Sequence, residues 1–269
     1  MRNKKSLIYR IGHPINYKLH SFKEWLEAKK FEQSVYGYRL REYKNIAIKD
    51  RCFILGNGPS LSIQDLDTLH ANEEVCFASN RVYGIYNQTK WRPTYYGCQD
   101  DRVMRQIYAD IPMVANESRI SFISINNYEH HDFIYETPVI APFFIKMFPT
   151  REHSVCFSED ISSGICEGMT ITYTLAQIAM YMGYKEIYFL GVDHNQSVPK
   201  ENESNDEINY FKGIKKVDAS DFYPPHFDIM NEAYTLLKKV ADVKGIKICN
   251  ATRGGKLEIF ERVDFDRLF

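Results

Sequence analysis

Cys52-Phe53-Ile54-Leu55-Gly56-Asn57-Gly58-Pro59-Ser60 is the stretch that decides the fold. An apolar run closed by glycines reads as a buried strand entering a tight turn, and Leu61 to Leu69 then carries the spacing of a first helix. In an α/β fold such a turn lies at the carboxyl edge of the sheet, where ligands with phosphates are held. Gly56 and Gly58 allow close approach of backbone to ligand, Asn57 offers a hydrogen bond to a ribose or phosphate, and Ser60 is a candidate helix cap. The plain alternative is a tight turn that holds no ligand. The stretch is not a P-loop, because no Gly-Lys-Ser/Thr follows, and Pro59-Ser60-Leu61 breaks the dinucleotide pattern GxGxxG.

Outward from this turn, strand signals alternate with helical ones. Val75 to Ser79 reads as a strand ending at Asn80, and Thr94 to Cys98 as one ending at Gln99-Asp100. Ile120 to Ile125, Val139-Ile140, Lys185 to Gly191 and Ile246 to Asn250 are further strands. Helices are expected at residues 21–33, from Cys166 to Met182 and from Ile229 to Val243. This order predicts an α/β fold with a mostly parallel, Rossmann-like sheet and helices on both faces. Residues 1–50 are expected to form a basic helical extension and 51–269 the nucleotide-binding α/β domain. Residues 194–225, polar and without clear period, are expected to be a lid or binding loop, with a disordered excursion as the alternative.

With 269 residues and 44% apolar content, the chain has ample core for one large domain or one domain with an appendage. No apolar run is long enough to span a membrane and no signal-peptide core follows Met1, so a cytoplasmic protein is expected. Six cysteines without CxxC spacing read as reduced core thiols rather than a disulfide framework. Charge is uneven: residues 1–50 hold twelve Lys and Arg against five acids, a net of +7, which leaves −8 for the remainder. Basic residues interleaved with Trp25, Tyr36, Tyr38 and Tyr43 suit a peripheral contact with anionic lipid at the inner membrane face. A helical cap with a solvated basic face is the other reading. Nucleic acid is not expected as a partner, because no binding module is present and the body is acidic.

Asn80, Gln99 and Asp100, each after a strand, would converge on one crevice with the first glycine turn. Ser162-Ser163-Gly164 is placed before the long helix, where N–H groups hold a phosphate or carboxylate. Asp193 would orient a base or bind a hydroxyl, and the neighbouring His194 is either catalytic or a loop residue. His226, at the start of the next helix, carries an imidazole suited to taking a proton from a sugar hydroxyl. Metal spacing is poor: His130-His131 are adjacent, and Asp264-Phe265-Asp266 lies in a terminal tail. No cofactor or metal is expected.

Ile54 to Leu61 resembles the opening motif of bacterial lipooligosaccharide sialyltransferases, glycosyltransferase family 42. Ile161 to Gly164 with Ala179 to Asp193 is similar to a second block of that family, and His226 and Ile246 to Asn250 follow in the same order. The resemblance implies a GT-A-like fold and metal-independent, inverting transfer of sialic acid, or a related nonulosonic acid, from a CMP-sugar to a glycan or lipid-linked glycan, often in a homo-oligomer. It implies that Gly56, Asn57, Gly58 and Asn80 hold CMP with Gln99 and Asp100, and that the Ser162, Ser163 and Gly164 turn faces the cytosine-ribose or the donor carboxylate. It makes His226 the general base and Tyr210 and Tyr223 candidates to stabilise the leaving phosphate. The chain departs from the family in its extra residues 1–50 and in Cys98-Gln99-Asp100, where the family has Asn-Pro-Asn. Cys249 to Lys256 also resembles a wider DUF115-like group that includes flagellin nonulosonic-acid transferase homologues and an archaeal pterin pyrophosphokinase. That likeness places Asn250 and Thr252 beside a nucleotide and offers ATP- and Mg²⁺-dependent diphosphate transfer to a pterin as the second enzyme reading; a non-catalytic nucleotide-binding protein is the third.

Overall fold

The run Arg51–Leu55 forms β1, buried on both faces as a strand inside a parallel sheet must be. The computed structural model describes residues 22, 25–125, 140–143, 145–146, 155–197, 209–212 and 225–269. In chain order, the main elements are α1 (Val35–Glu42), β1, α2 (Ile63–Ala71), β2 (Cys76–Ser79), β3 (Tyr95–Cys98), α3 (Asp101–Ile107), α4 (Ile111–Asn116), β4 (Ile120–Ser124) and β5 (Ile140–Phe143). There follow β6 (Ile145–Lys146), β7 (Ile165–Cys166), α5 (Ile171–Met182), β8 (Glu186–Leu190), α6 (Phe227–Lys244), β9 (Lys247–Asn250) and β10 (Glu261–Arg262). Eight strands make one sheet in the order β10-β9-β8-β1-β2-β3-β4-β5, and every pair in it is parallel. Strand order reverses at β1, between β8 and β2, which opens a crevice at their carboxyl ends.

Helices cover both faces. On one, α2, α3 and α4 bury Leu66, Leu69, Met104, Ile107 and Val114 against Phe53, Leu55 and Tyr96. On the other, α5 and α6 bury Leu175, Ile178, Tyr234 and Leu237 against Ile54, Phe77 and Phe189. Helix α5 is buried almost all round, the pattern of a helix enclosed on every side. Gly97 in β3 makes room for it: a Cβ there would lie 2.7 Å from Leu175 Cδ2. Gly183, at φ +99°, ends α5 in the left-handed conformation that favours glycine.

Four local expectations are corrected. The first helix is capped by Ser62, not Ser60: Ser62 Oγ accepts from the Asp65 N–H at 3.1 Å while Asp65 Oδ2 accepts from the Ser62 N–H at 3.1 Å. The long helix starts at Ile171 rather than near Cys166, because Ile165-Cys166 is spent pairing with β6. Cys156 and Cys166 form a disulfide, their Cα atoms 5.5 Å apart, against the expectation of reduced thiols. The fold brings these cysteines together across a short loop, which spacing alone does not reveal; Cys52, Cys76, Cys98 and Cys249 are buried free thiols. The terminal tail is not a bare surface segment, since Phe265 is buried against Phe53, their ring centroids 6.1 Å apart.

Within residues 1–50 the described part is docked on the sheet. Phe31 and Leu40 join the core that also holds α5. The Asn45 and Ala47 N–H groups donate to the carbonyls of Tyr181 and Met182, and Arg39 donates to the Ile140 carbonyl at 3.0 Å. Tyr43 sets its ring edge-on to Phe122, with centroids 5.9 Å apart. Phe122 is fully buried under this cover, so Phe122→Ala is expected to destabilise the protein by about 3–5 kcal/mol, read as a lower urea midpoint with an unchanged slope.

Candidate functional site

The turns after β1 and β8 touch. The Gly56 N–H donates to the Leu190 carbonyl at 2.8 Å and the Gly58 N–H to the Gly191 carbonyl at 3.0 Å. A Cβ on Gly56 would strike the Gly191 carbonyl, and one on Gly58 the Asp193 carboxylate. These glycines therefore let two turns of the protein approach each other, a structural duty that the sequence reading did not assign them. Asp193 Oδ2 accepts from the Ser60 hydroxyl at 2.8 Å and from its N–H at 3.3 Å. Burial raises the Asp193 carboxyl above its usual range, and the Ser60 bonds partly oppose that rise.

Around these turns lies a cleft of about 560 Å³. Gly56, Asn57, Gly58, Asn80, Gln99, Asp100, Asp193, Tyr210 and His226 all line it. Residues from separate stretches thus meet at the carboxyl ends of β1, β2, β3 and β8. Asn57 Nδ2 donates to the Ser79 carbonyl at 3.1 Å, and the Asn57 carbonyl accepts from the Phe211 N–H at 3.0 Å, which draws Tyr210 to the cleft. Asn80 stands at φ +54°, a left-handed position that asparagine tolerates. Oδ1 of both asparagines is buried with no hydrogen-bond partner among the described residues. Asp100 caps α3, its Oδ1 accepting from the Arg102 N–H at 2.8 Å and the Val103 N–H at 3.1 Å. Gln99 Oε1 accepts from the Thr174 hydroxyl.

Other expected residues lie elsewhere. Ser162 and Ser163 form a 3₁₀ turn closed by Gly164, and none of the three lines the cleft. Ser162 bonds Asp160, and Arg41 donates to its hydroxyl at 3.3 Å. The helix start that does open into the cleft is Thr170-Ile171-Thr172. Asn250 and Thr252 are buried and satisfy the chain itself: Asn250 Nδ2 donates to the Leu257 carbonyl at 2.8 Å, and Thr252 Oγ1 accepts from the Val192 N–H at 3.1 Å. Tyr223, His130, His131 and most of 194–225 lie outside the described residues. No group of three or more metal-capable side chains gathers among the described residues.

The cleft also contains groups the sequence reading did not select. Arg81 follows Asn80 directly, and a charged residue just past a strand end was the available signal. Glu167 lines the cleft, its carboxyl raised by burial and then by the Asp100 charge. His194 was weighed only as a loop residue or catalyst. It stands at φ +52°, its Nε2 is 2.9 Å from Asn231 Oδ1, and its Nδ1 is buried with no partner among the described residues. Burial lowers its pKa, so the ring is neutral at pH 7. Asn231 had no sequence signal, because only the packing of α6 brings it to His194.

Residues 22–198 match the profile of a family described as 6-hydroxymethylpterin diphosphokinase MptE-like. The chain belongs to this MptE-like family. No curated protein sequence matches it. Among solved structures, a Maf glycosyltransferase from Magnetospirillum magneticum AMB-1 aligns at 14% identity and a TM-score of 0.49, covering 87% of this chain and 38% of that one. The MptE-like chain thus spans well under half of that protein's length. The sialyltransferase CstII from Campylobacter jejuni, in complex with the substrate analogue CMP-3FNeuAc, aligns at 17% identity and a TM-score of 0.48, covering 80% of this chain and 86% of that one. At these scores the likeness says nothing about chemistry.

The raised Glu167 carboxyl has a consequence for stability. A carboxyl whose folded pKa lies above the unfolded value of 4.5 penalises the fold once pH rises through that value, and the penalty vanishes where both states are protonated. Glu167→Gln is therefore expected to melt higher than the wild type at pH 7, with the gap closing as pH falls below 4.5. Thermal unfolding at several pH values reads this directly.

Proposed function

We propose that this MptE-like protein is an inverting, metal-independent transferase that moves sialic acid or a related nonulosonic acid from a CMP-sugar to a glycan acceptor. The observation that carries the reading is the meeting of Asn57, Asn80, Tyr210 and His226 around one cleft at the strand-order reversal. The two unpartnered Oδ1 atoms are acceptors, and ribose hydroxyls or a base amino group would supply the donors they lack. In this reading His226 takes the proton of the acceptor hydroxyl as that oxygen bonds the anomeric carbon. The bond from that carbon to the phosphate oxygen breaks, and CMP leaves with the electron pair. Tyr210 donates a hydrogen bond to the departing phosphate.

Diphosphate transfer from ATP to a pterin is the second reading. It is favoured by the matched family and by the Asp100 and Glu167 carboxylates on one cleft, which suit Mg²⁺. As to place, no helix among the described residues is long and apolar enough to cross a membrane. Attachment of residues 1–50 to an anionic membrane and assembly into a homo-oligomer belong to the same proposal.

Incubation with CMP-sialic acid and related donors is expected to release CMP, unaffected by EDTA. His226→Ala is expected to lower that release by about 10²–10⁴-fold while CMP still binds. Turnover only with ATP, Mg²⁺ and a pterin would replace this reading with the second.

A further inference from the structure

Arg81 is a largely buried cation with no counter-charge paired to it among the described residues. It is only 6% exposed and lines the cleft between Asn80 and the 3₁₀ turn Val82–Ile85. Among the described residues it makes no ion pair and no side-chain hydrogen bond. Elsewhere in the molecule arginines are gripped: Arg51 by Glu74, Arg92 by Glu117, Arg253 by Asp65 and Asp266, and Arg262 by Glu258.

A guanidinium cannot escape burial by losing its proton. Held away from water, it is tolerated where an anion comes to it. Of the acids that line the cleft, Asp100 caps α3 and Asp193 holds Ser60, and Glu167 makes no ion pair with Arg81. A second observation points the same way. Helix α5 opens into the same cleft, and its N-cap residue Thr170 makes no capping bond. The Thr170 hydroxyl instead pairs with that of Thr172 at 2.9 Å, and Thr172 with Tyr234. The Tyr173 N–H donates to the Thr170 carbonyl at 3.2 Å, which leaves the first turn of α5 without a side-chain cap at the cleft and with the positive end of the helix dipole there.

The cleft thus holds two kinds of unmet demand. Asn57 and Asn80 present acceptors, while Arg81 and the start of α5 present donors with positive charge. We propose that Arg81 and the N-terminus of α5 form an anion subsite that binds a phosphate or carboxylate of the ligand. This deepens the nucleotide reading above by naming the group that anchors the donor. Bidentate binding by the guanidinium fork is the expected mode.

Titration calorimetry of the full chain with cytidine, CMP, CMP-sialic acid, ATP and inorganic pyrophosphate tests the subsite. Arg81→Gln is expected to weaken CMP binding by roughly tenfold to a hundredfold and to leave cytidine unchanged. Arg81→Lys should fall between, keeping the charge and losing the fork. Without ligand, Arg81→Gln is expected to melt no lower than the wild type, since it removes a buried charge and no ion pair or side-chain hydrogen bond among the described residues. Loss for CMP-sialic acid alone, with CMP unaffected, would assign the carboxylate as the bound anion. Arg81-dependent binding of ATP or pyrophosphate with no cytidine compound bound would keep the subsite and sink the CMP-sugar reading. Unchanged binding of every anion in Arg81→Gln, equal loss of cytidine and CMP, a variant that unfolds, or a wild type that binds no anion of the series would each overturn the proposal.

Discussion

The contact between the turns after β1 and β8 is the constraint on which the rest of the site depends. Two backbone segments can lie this close only where neither carries a Cβ at the point of contact, and Gly56, Gly58 and Gly191 meet that condition. Their approach fixes the strand-order reversal as a crevice rather than a closed seam. It places Asp193 over Ser60, and the Asn57 carbonyl where it receives the N–H of Phe211. A segment 154 residues away in sequence is thereby tied to the first turn of the domain.

Electrostatics gives the cleft its character. Buried carboxylates at Asp193 and Glu167 are pushed toward their neutral forms, and a neutral imidazole stands at His194. Against these lies one buried guanidinium at Arg81. Burial strengthens each of these groups toward an incoming ligand because water no longer screens them. Such an arrangement serves binding better than stability, as polar groups kept for function commonly do.

The amino-terminal segment has a part in the same architecture. Its basic residues include Arg39 and Arg41, which reach the Ile140 carbonyl and Ser162. Part of the positive charge that marks residues 1–50 is thus engaged inside the molecule, and Tyr43 seals the sheet over Phe122. Arg41 also accounts for Ser162, which the sequence had offered to a ligand.

Periodicity and turn chemistry determined the parallel sheet, both long helices and the crevice-facing residues Asn57, Asn80, Gln99, Asp100 and His226. These are local signals: an apolar run, a glycine stop and a polar residue just past a strand end are written within a few positions. Tertiary structure alone decided that Ser162, Asn250 and Thr252 bond the chain itself, that Asn231 meets His194, that Cys156 reaches Cys166, and that Arg81 is buried with no ion pair among the described residues. Hydrogen-bond satisfaction and burial depend on what distant segments bring to a side chain, and no spacing along the sequence contains that information.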